Sequence, residues 1–120
     1  MEQSSKTLTF VVPAYNMETY LERCVESLLS ATDNSDIEVL IVDDGSSDST
    51  PELADMYERR WPGNVRAIHQ VNKGHGGAVN TGIANATGMY VKVVDADDWV
   101  DMPSIDTLMG TLRVQRVATD

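Results

Sequence analysis

Apolar and polar positions fall into eight blocks whose period changes from one block to the next. Thr7 to Val12 (TLTFVV) is a β-rich apolar run, and Pro13, which brings no N–H to a ladder, is expected to stop it. Asn16 to Thr19 lead into a helix where Leu21, Cys24, Val25, Leu28 and Leu29 recur at helical spacing and make one apolar face. Cys24 reads there as a small buried hydrophobe rather than a reactive thiol. Ile37 to Val42 (IEVLIV) is nearly all apolar, as strands covered on both faces are.

After Asp43-Asp44-Gly45-Ser46, Ser49 or Thr50 is placed to cap a second helix, with Pro51 in its first turn. Leu53, Ala54 and Tyr57 give that helix its stripe, and Trp61-Pro62-Gly63 ends it. Val65 to Val71 is a weaker third strand. A glycine-rich stretch, Gly74 to Gly77, is expected to precede a short helix from Ala78 to Ala86, closed by Gly88. Met89 to Val94 is a fourth strand and runs into Asp95-Ala96-Asp97-Asp98. Pro103 opens a last helix bearing Ile105, Leu108, Met109 and Leu112, and the pattern fades after Leu112.

The β-α-β-α-β-α-β-α order predicts an α/β fold: a mostly parallel, Rossmann-like sheet with helices on both faces, joined by right-handed crossovers. With 120 residues the chain is expected to be a single domain. Nine Lys and Arg against nineteen Asp and Glu leave a net charge of −10. That balance excludes a nucleic-acid binder, which needs a basic face, and docking on an anionic membrane. A polyanion remains a candidate ligand where a divalent cation sits between it and the protein. One cysteine excludes an internal disulfide framework and a Cys-rich metal site. No apolar run approaches the ~18 residues of a spanning helix, so the expected location is the cytoplasm.

In an open parallel sheet, ligands bind beyond the carboxyl ends of the strands. Pro13 to Asn16, Asp43-Asp44, the glycine stretch and Asp95 to Asp98 each follow a strand, so all four are expected along one edge. Asp95-x-Asp97 with Asp98 offers hard oxygen donors suited to Mg²⁺ or Mn²⁺; the same residues also make an ordinary helix-leading turn. Of Asp43 and Asp44, one is expected to face a ligand and the other to bind backbone amides, since adjacent carboxylates repel unless something meets them. Gly74-His75-Gly76-Gly77 is neither a P-loop, lacking Gly-Lys-Ser/Thr, nor a dinucleotide fingerprint, which belongs after a first strand. A tight turn and a phosphate contact both remain open for it. Lys73 offers the site a cation, His75 reads as a solvent-facing loop residue, and His69, inside a strand, reads as structural. Asn80 is placed near a first helical turn, and Tyr15 is placed to stack on a base.

These motifs resemble the N-terminal half of family 2 glycosyltransferases with the GT-A fold, from about Leu8 to Leu112. The resemblance rests on Val12-Pro13-Ala14-Tyr15-Asn16, Tyr20-Leu21-x-x-Cys24-x-x-Ser27-Leu28, Glu38 to Ser46 with Asp48 and Thr50, Asn72-Lys73-Gly74-x-Gly76-Gly77-Ala78-x-Asn80-x-Gly82, and Asp95-Ala96-Asp97-Asp98. It implies transfer of a sugar from a nucleotide donor, often a uridine diphosphate sugar, to an acceptor hydroxyl. Pro13, Ala14, Tyr15 and Asn16 would line the nucleoside pocket, and Asp44 would meet the base. Lys73 and Gly74 would belong to the nucleotide-sugar site, with the diphosphate contact of Lys73 left open. Asp95, Ala96 and Asp97 would hold the ribose and a Mn²⁺ or Mg²⁺ ion, with Asp97 and Asp95 as its ligands. A strand order of 3-2-1-4 would put Pro13 to Asn16 beside Asp95 to Asp97.

Val79 stands where many relatives carry a basic residue. The catalytic base of such enzymes belongs to a second half with the acceptor site, so it is expected beyond Asp120. The chain then corresponds to a donor-binding part, inactive alone, with a saccharide or lipid-linked acceptor left open. An exposed sheet edge and self-association through it are expected. For a longer protein the expected site of action extends to the cytoplasmic face of the membrane. A non-catalytic nucleotide-sugar-binding module is the alternative. A phosphoacceptor receiver or a haloacid-dehalogenase-type phosphohydrolase needs its acidic pair after the first strand, where this chain has Pro13-Ala14-Tyr15-Asn16.

Overall fold

The computed structural model describes residues 6–119. Its elements are β1 (Leu8–Ala14), α1 (Leu21–Leu28), β2 (Ile37–Asp44), α2 (Thr50–Arg60), β3 (Val65–Gln70), α3 (Gly74–Asn85), β4 (Tyr90–Val93) and α4 (Met102–Thr119). All pairings are parallel and the order is β3-β2-β1-β4, the 3-2-1-4 arrangement expected. Succession reverses between β1 and β4, which leaves a crevice at their carboxyl ends. Among the described residues no helix is long and apolar enough to cross a membrane.

The pleat sorts side chains into two layers, because successive residues of a strand point to opposite faces. Leu8, Phe10, Val12 and Ala14 of β1 and Ile37, Val39 and Ile41 of β2 enter the larger core, with residues of α1, α2 and α4. Val11, Leu40 and Val42 face the other way and meet Ala78 of α3. Helices thus cover both faces, three against one. The approach of α3 is close: a Cβ on Gly82 would lie 2.2 Å from a Val11 methyl. β4 pairs with β1 alone, and its Val91 and Val93 are 41% and 38% exposed.

Four local expectations need correction. Pro13 does not end β1, which pairs through Pro13 opposite Val42 and Ala14 opposite Asp43. Val11 accepts the Val94 N–H, so its carbonyl points toward β4. Pro13, two residues on, turns its N–H-less nitrogen to the same side, past the end of β4, where no ladder bond is lost. The glycine stretch is not a loop before α3 but its first turn, and Asn80 therefore lies in the second turn. Ser49 occupies the N-cap of α2 without a capping bond; Asp48 accepts the Thr50 N–H instead, and the Thr50 hydroxyl accepts the Met17 N–H. Helix α4 continues past Leu112 because polar anchors replace the apolar stripe. Arg113 donates to both oxygens of Asp36 and to the Asp33 carbonyl, and Arg116 donates to the Thr7 hydroxyl.

Candidate functional site

The period-2 pleat decides what each carboxylate of the Asp43-Asp44 pair does. Asp43 points to the face covered by α2, where Oδ1 accepts the Ser46 N–H and Oδ2 meets His69 Nδ1 at 2.8 Å. His69 Nε2 meets Asp55 of α2 at 2.7 Å. Bonds to Asp43 and Asp55 hold the imidazole pKa above its ordinary value against the opposing effect of burial. His69 thus ties the end of β2 to α2. Asp44 points to the α3 face and is 3% exposed. Its Oδ1 accepts from Gln70 Nε2 at 2.9 Å and from the Lys73 N–H at 2.7 Å. Burial pushes its pKa up, but the bonds from Gln70 and from the Lys73 and Gly74 backbone outweigh burial and hold it below the usual carboxylate range. Both aspartates therefore accept backbone amides, and Asp44 also faces a cavity. Gly45, at φ 75°, permits the turn between them and Asn72, whose backbone nitrogen would lie 2.8 Å from a Cβ there.

The loop after β1 is stitched to the loop after β2. Asn16, at φ 53°, donates its N–H to the Ser46 hydroxyl and accepts the Ser47 N–H on Oδ1. Across the same seam the Glu18 N–H donates to Asp48 Oδ2, and the Glu18 carboxylate accepts the Ser49 N–H. Beyond β4, the Asp98 N–H closes a turn onto the Asp95 carbonyl. One oxygen each from Asp95, Asp97 and Asp98 then lies within 4.8 Å of the others, all exposed. Three hard oxygen donors so placed fit a Mg²⁺ or Mn²⁺ ion that keeps some of its waters. Cys24 of α1 sits beneath this turn and donates its thiol to the Asp95 carbonyl at 3.7 Å. Burial, then Asp98, Asp97 and Asp95, push the thiol up to about 12, so it stays protonated and unreactive.

These segments enclose a cavity of about 340 Å³ between the ends of β1, β2 and β4 and the start of α3. Of the residues expected at a site, Pro13, Ala14, Tyr15, Asp44, Gly74, Asp95, Ala96 and Asp97 line it. Asn16 and Lys73 do not. Asn16 spends its side chain on the loop seam, and Lys73 contributes its backbone N–H to Asp44. Met17, Asn72, His75 and Ala78 also line the cavity and were not expected there. His75 is helical rather than a loop residue, and its Nε2 lies 2.8 Å from Asp95 Oδ1. A glycine-flanked histidine carries no period, so only the tertiary approach of α3 to the β4 loop reveals it.

A parallel sheet that reverses its order beside a cavity, with carboxylates and a helix N-terminus around it, is the arrangement of an open α/β domain, a class whose ligands sit in that crevice. The glycosyl transferase family 2 model matches residues 9–118, and the chain belongs to that family. It is similar to the uncharacterized glycosyltransferase EpsJ of Bacillus subtilis, 45% identical over 93 residues, covering 78% of this chain and 26% of EpsJ. It is likewise 41% identical over 109 residues to the uncharacterized glycosyltransferase YibD of Escherichia coli, covering 91% of this chain and 31% of YibD. Among solved structures, Staphylococcus aureus TarS 1–349 in complex with UDP-GlcNAc matches with a TM-score of 0.78 at 28% identity, over 87% of this chain and 30% of that one. The mannosyltransferase PcManGT of Pyrobaculum calidifontis, in complex with GDP-Man and Mn²⁺, matches at 0.74 and 27% identity, over 90% of this chain and 31% of its own. The fold is thus of the GT-A type. The chain spans less than a third of each of these proteins.

Proposed function

We propose that the chain is the donor-binding part of a longer glycosyltransferase. The complete enzyme moves a sugar from a nucleoside diphosphate, in our reading uridine diphosphate, to an acceptor hydroxyl. The observation that carries this reading is the cavity at the strand-order reversal, with Asp44 on one wall and the Asp95–Asp97 turn on the other. The bound complexes of TarS and PcManGT, with UDP-GlcNAc and with GDP-Man and Mn²⁺, support it.

The base and ribose occupy the apolar floor of Pro13, Ala14 and Tyr15. Asp44, ionised and held rigid by Gln70 and the α3 backbone, accepts a hydrogen bond from the base. Asp97 and Asp95 hold the divalent cation, and Ala96, buried between them, keeps the turn against the core. When bound, that cation supplies positive charge against the diphosphate as it leaves. We assign no catalytic base among residues 1–120, so the chain alone binds donor without transferring sugar.

Thermal unfolding with UDP, with and without Mn²⁺, tests the reading. Ligand at about 100 times its dissociation constant stabilises by roughly 2.7 kcal/mol, several degrees in a domain this small. The expected result is a Mn²⁺-dependent shift that Asp97→Asn abolishes. A chain stabilised by neither UDP nor GDP in Mn²⁺ overturns the donor reading.

A further inference from the structure

The cavity has a charge problem that its own residues define. Its walls carry the carboxylates of Asp44, Asp95 and Asp97, and no lysine or arginine is among its described lining residues. A diphosphate entering such a space needs donors as well as a cation, because phosphate oxygens beside carboxylates repel. Asn72, a nitrogen-bearing side chain on the wall, gives one hydrogen of its amide to the Asp44 carbonyl at 3.1 Å and keeps the other. The Lys73 N–H at the start of α3 is committed to Asp44 as well. His75 differs. It stands in the first turn of α3, its side chain is 65% exposed, and among the described residues its side chain bonds to Asp95 alone, a residue proposed to hold the cation. Facing an ionised carboxylate, which only accepts, His75 Nε2 carries the proton and donates it.

We propose that His75 is the residue that positions the donor's diphosphate, and that its bond to Asp95 is the resting state of that role. The inference rests on the donor reading above. Nε2–H is given to Asp95 Oδ1, which bridges α3 to the β4 loop and keeps the imidazole beside the cavity. When the nucleotide and its cation enter, Asp95 turns its oxygen to the cation and the same N–H passes to a phosphate oxygen. One donor thus serves two acceptors in succession, and binding frees a carboxylate at the moment the cation needs it. The residue selects for nucleotides that carry phosphate and contributes nothing to the grip on the nucleoside.

The test compares wild type with His75→Ala in the 120-residue chain, measuring affinity for UDP with Mn²⁺, for uridine, and for Mn²⁺ alone. A hydrogen bond to a charged group predicts a loss of about tenfold or more for UDP, with uridine unchanged within about twofold. Mn²⁺ alone is held equally or more tightly by the variant, since Asp95 no longer shares its oxygen. Weakening of one ligand beside retention of the other two is a pattern that a merely structural histidine does not produce. An unchanged UDP affinity, an equal loss for UDP and uridine, or weaker Mn²⁺ binding in the variant overturns the proposal. Failure of the donor reading is distinct: there wild type itself binds no UDP, and the role of His75 falls with it.

Discussion

Carboxylates at the two ends of the sheet live under opposite conditions. Glu38, second residue of β2, is 4% exposed, and each of its oxygens is answered. Oε1 accepts from the Thr9 hydroxyl and the Thr87 N–H, and Oε2 from Arg66 Nε at 2.8 Å. Arg66 in turn reaches the Asn85 carbonyl at the end of α3. Burial raises the Glu38 pKa, and the bonds from Arg66, Thr87 and Thr9 more than reverse it. At the carboxyl edge, Asp97 and Asp98 are exposed and crowded with Asp95, and among the described residues no hydrogen bond reaches their carboxylates. A buried charge survives only when its partners are built into the fold, whereas water solvates an exposed cluster of like charges and lets it do without them. The first arrangement stabilises the domain; the second has no partner built into the fold, and in the reading proposed above its oxygens hold a cation.

Removing Glu38 breaks the first arrangement. Glu38→Ala strips the Thr9 hydroxyl, the Thr87 N–H and Arg66 of their acceptor and destabilises by about 3 kcal/mol, read as a fall in the urea midpoint. The figure is at the low end for buried pairs because Arg66 is 42% exposed. A midpoint unchanged by this substitution would place Glu38 with the exposed carboxylates.

His69 sharpens the comparison, since it joins two carboxylates yet is half open to water. Its pKa is raised in the folded chain, so its stabilisation is complete below the unfolded value of about 6.5 and is lost as pH rises through the folded value. His69→Gln is expected to cost about 1 kcal/mol at pH 5.5 and distinctly less at pH 8.5, by paired urea titrations. An equal cost at both pH values would mean that the ring holds Asp43 and Asp55 without its charge.

The smallest effect on stability belongs to Asp97→Asn. Without nucleotide or metal its unfolding free energy is expected to stay within about 0.5 kcal/mol of wild type, while the same substitution is expected to abolish the nucleotide-induced shift. A large loss in the ligand-free chain would show that the acidic turn is structural after all.

Much of this was legible in the sequence, for a local reason. Each strand shows as a short apolar run, and three of the four helices as 3.6-residue stripes. The acidic and glycine segments occur directly after strands, where a parallel sheet gathers its loops. Less legible were features without a period of their own. The glycine-rich start of α3 and the last turns of α4 are helical because neighbours hold them. Asn16 looked like a wall of the site and instead holds two loops together.

By itself, the sequence determined the eight elements, their parallel alternation and the carboxyl edge on which the acidic segments collect, because hydrophobic period and chain alternation are written in neighbouring residues. Tertiary structure alone decided that Asp43 turns to His69 while Asp44 turns to the cavity, that His75 meets Asp95, and that Lys73 offers backbone rather than side chain. Those outcomes depend on strand register and on how closely α3 approaches the sheet. They are set by packing between segments twenty or more residues apart, about which no local pattern carries information.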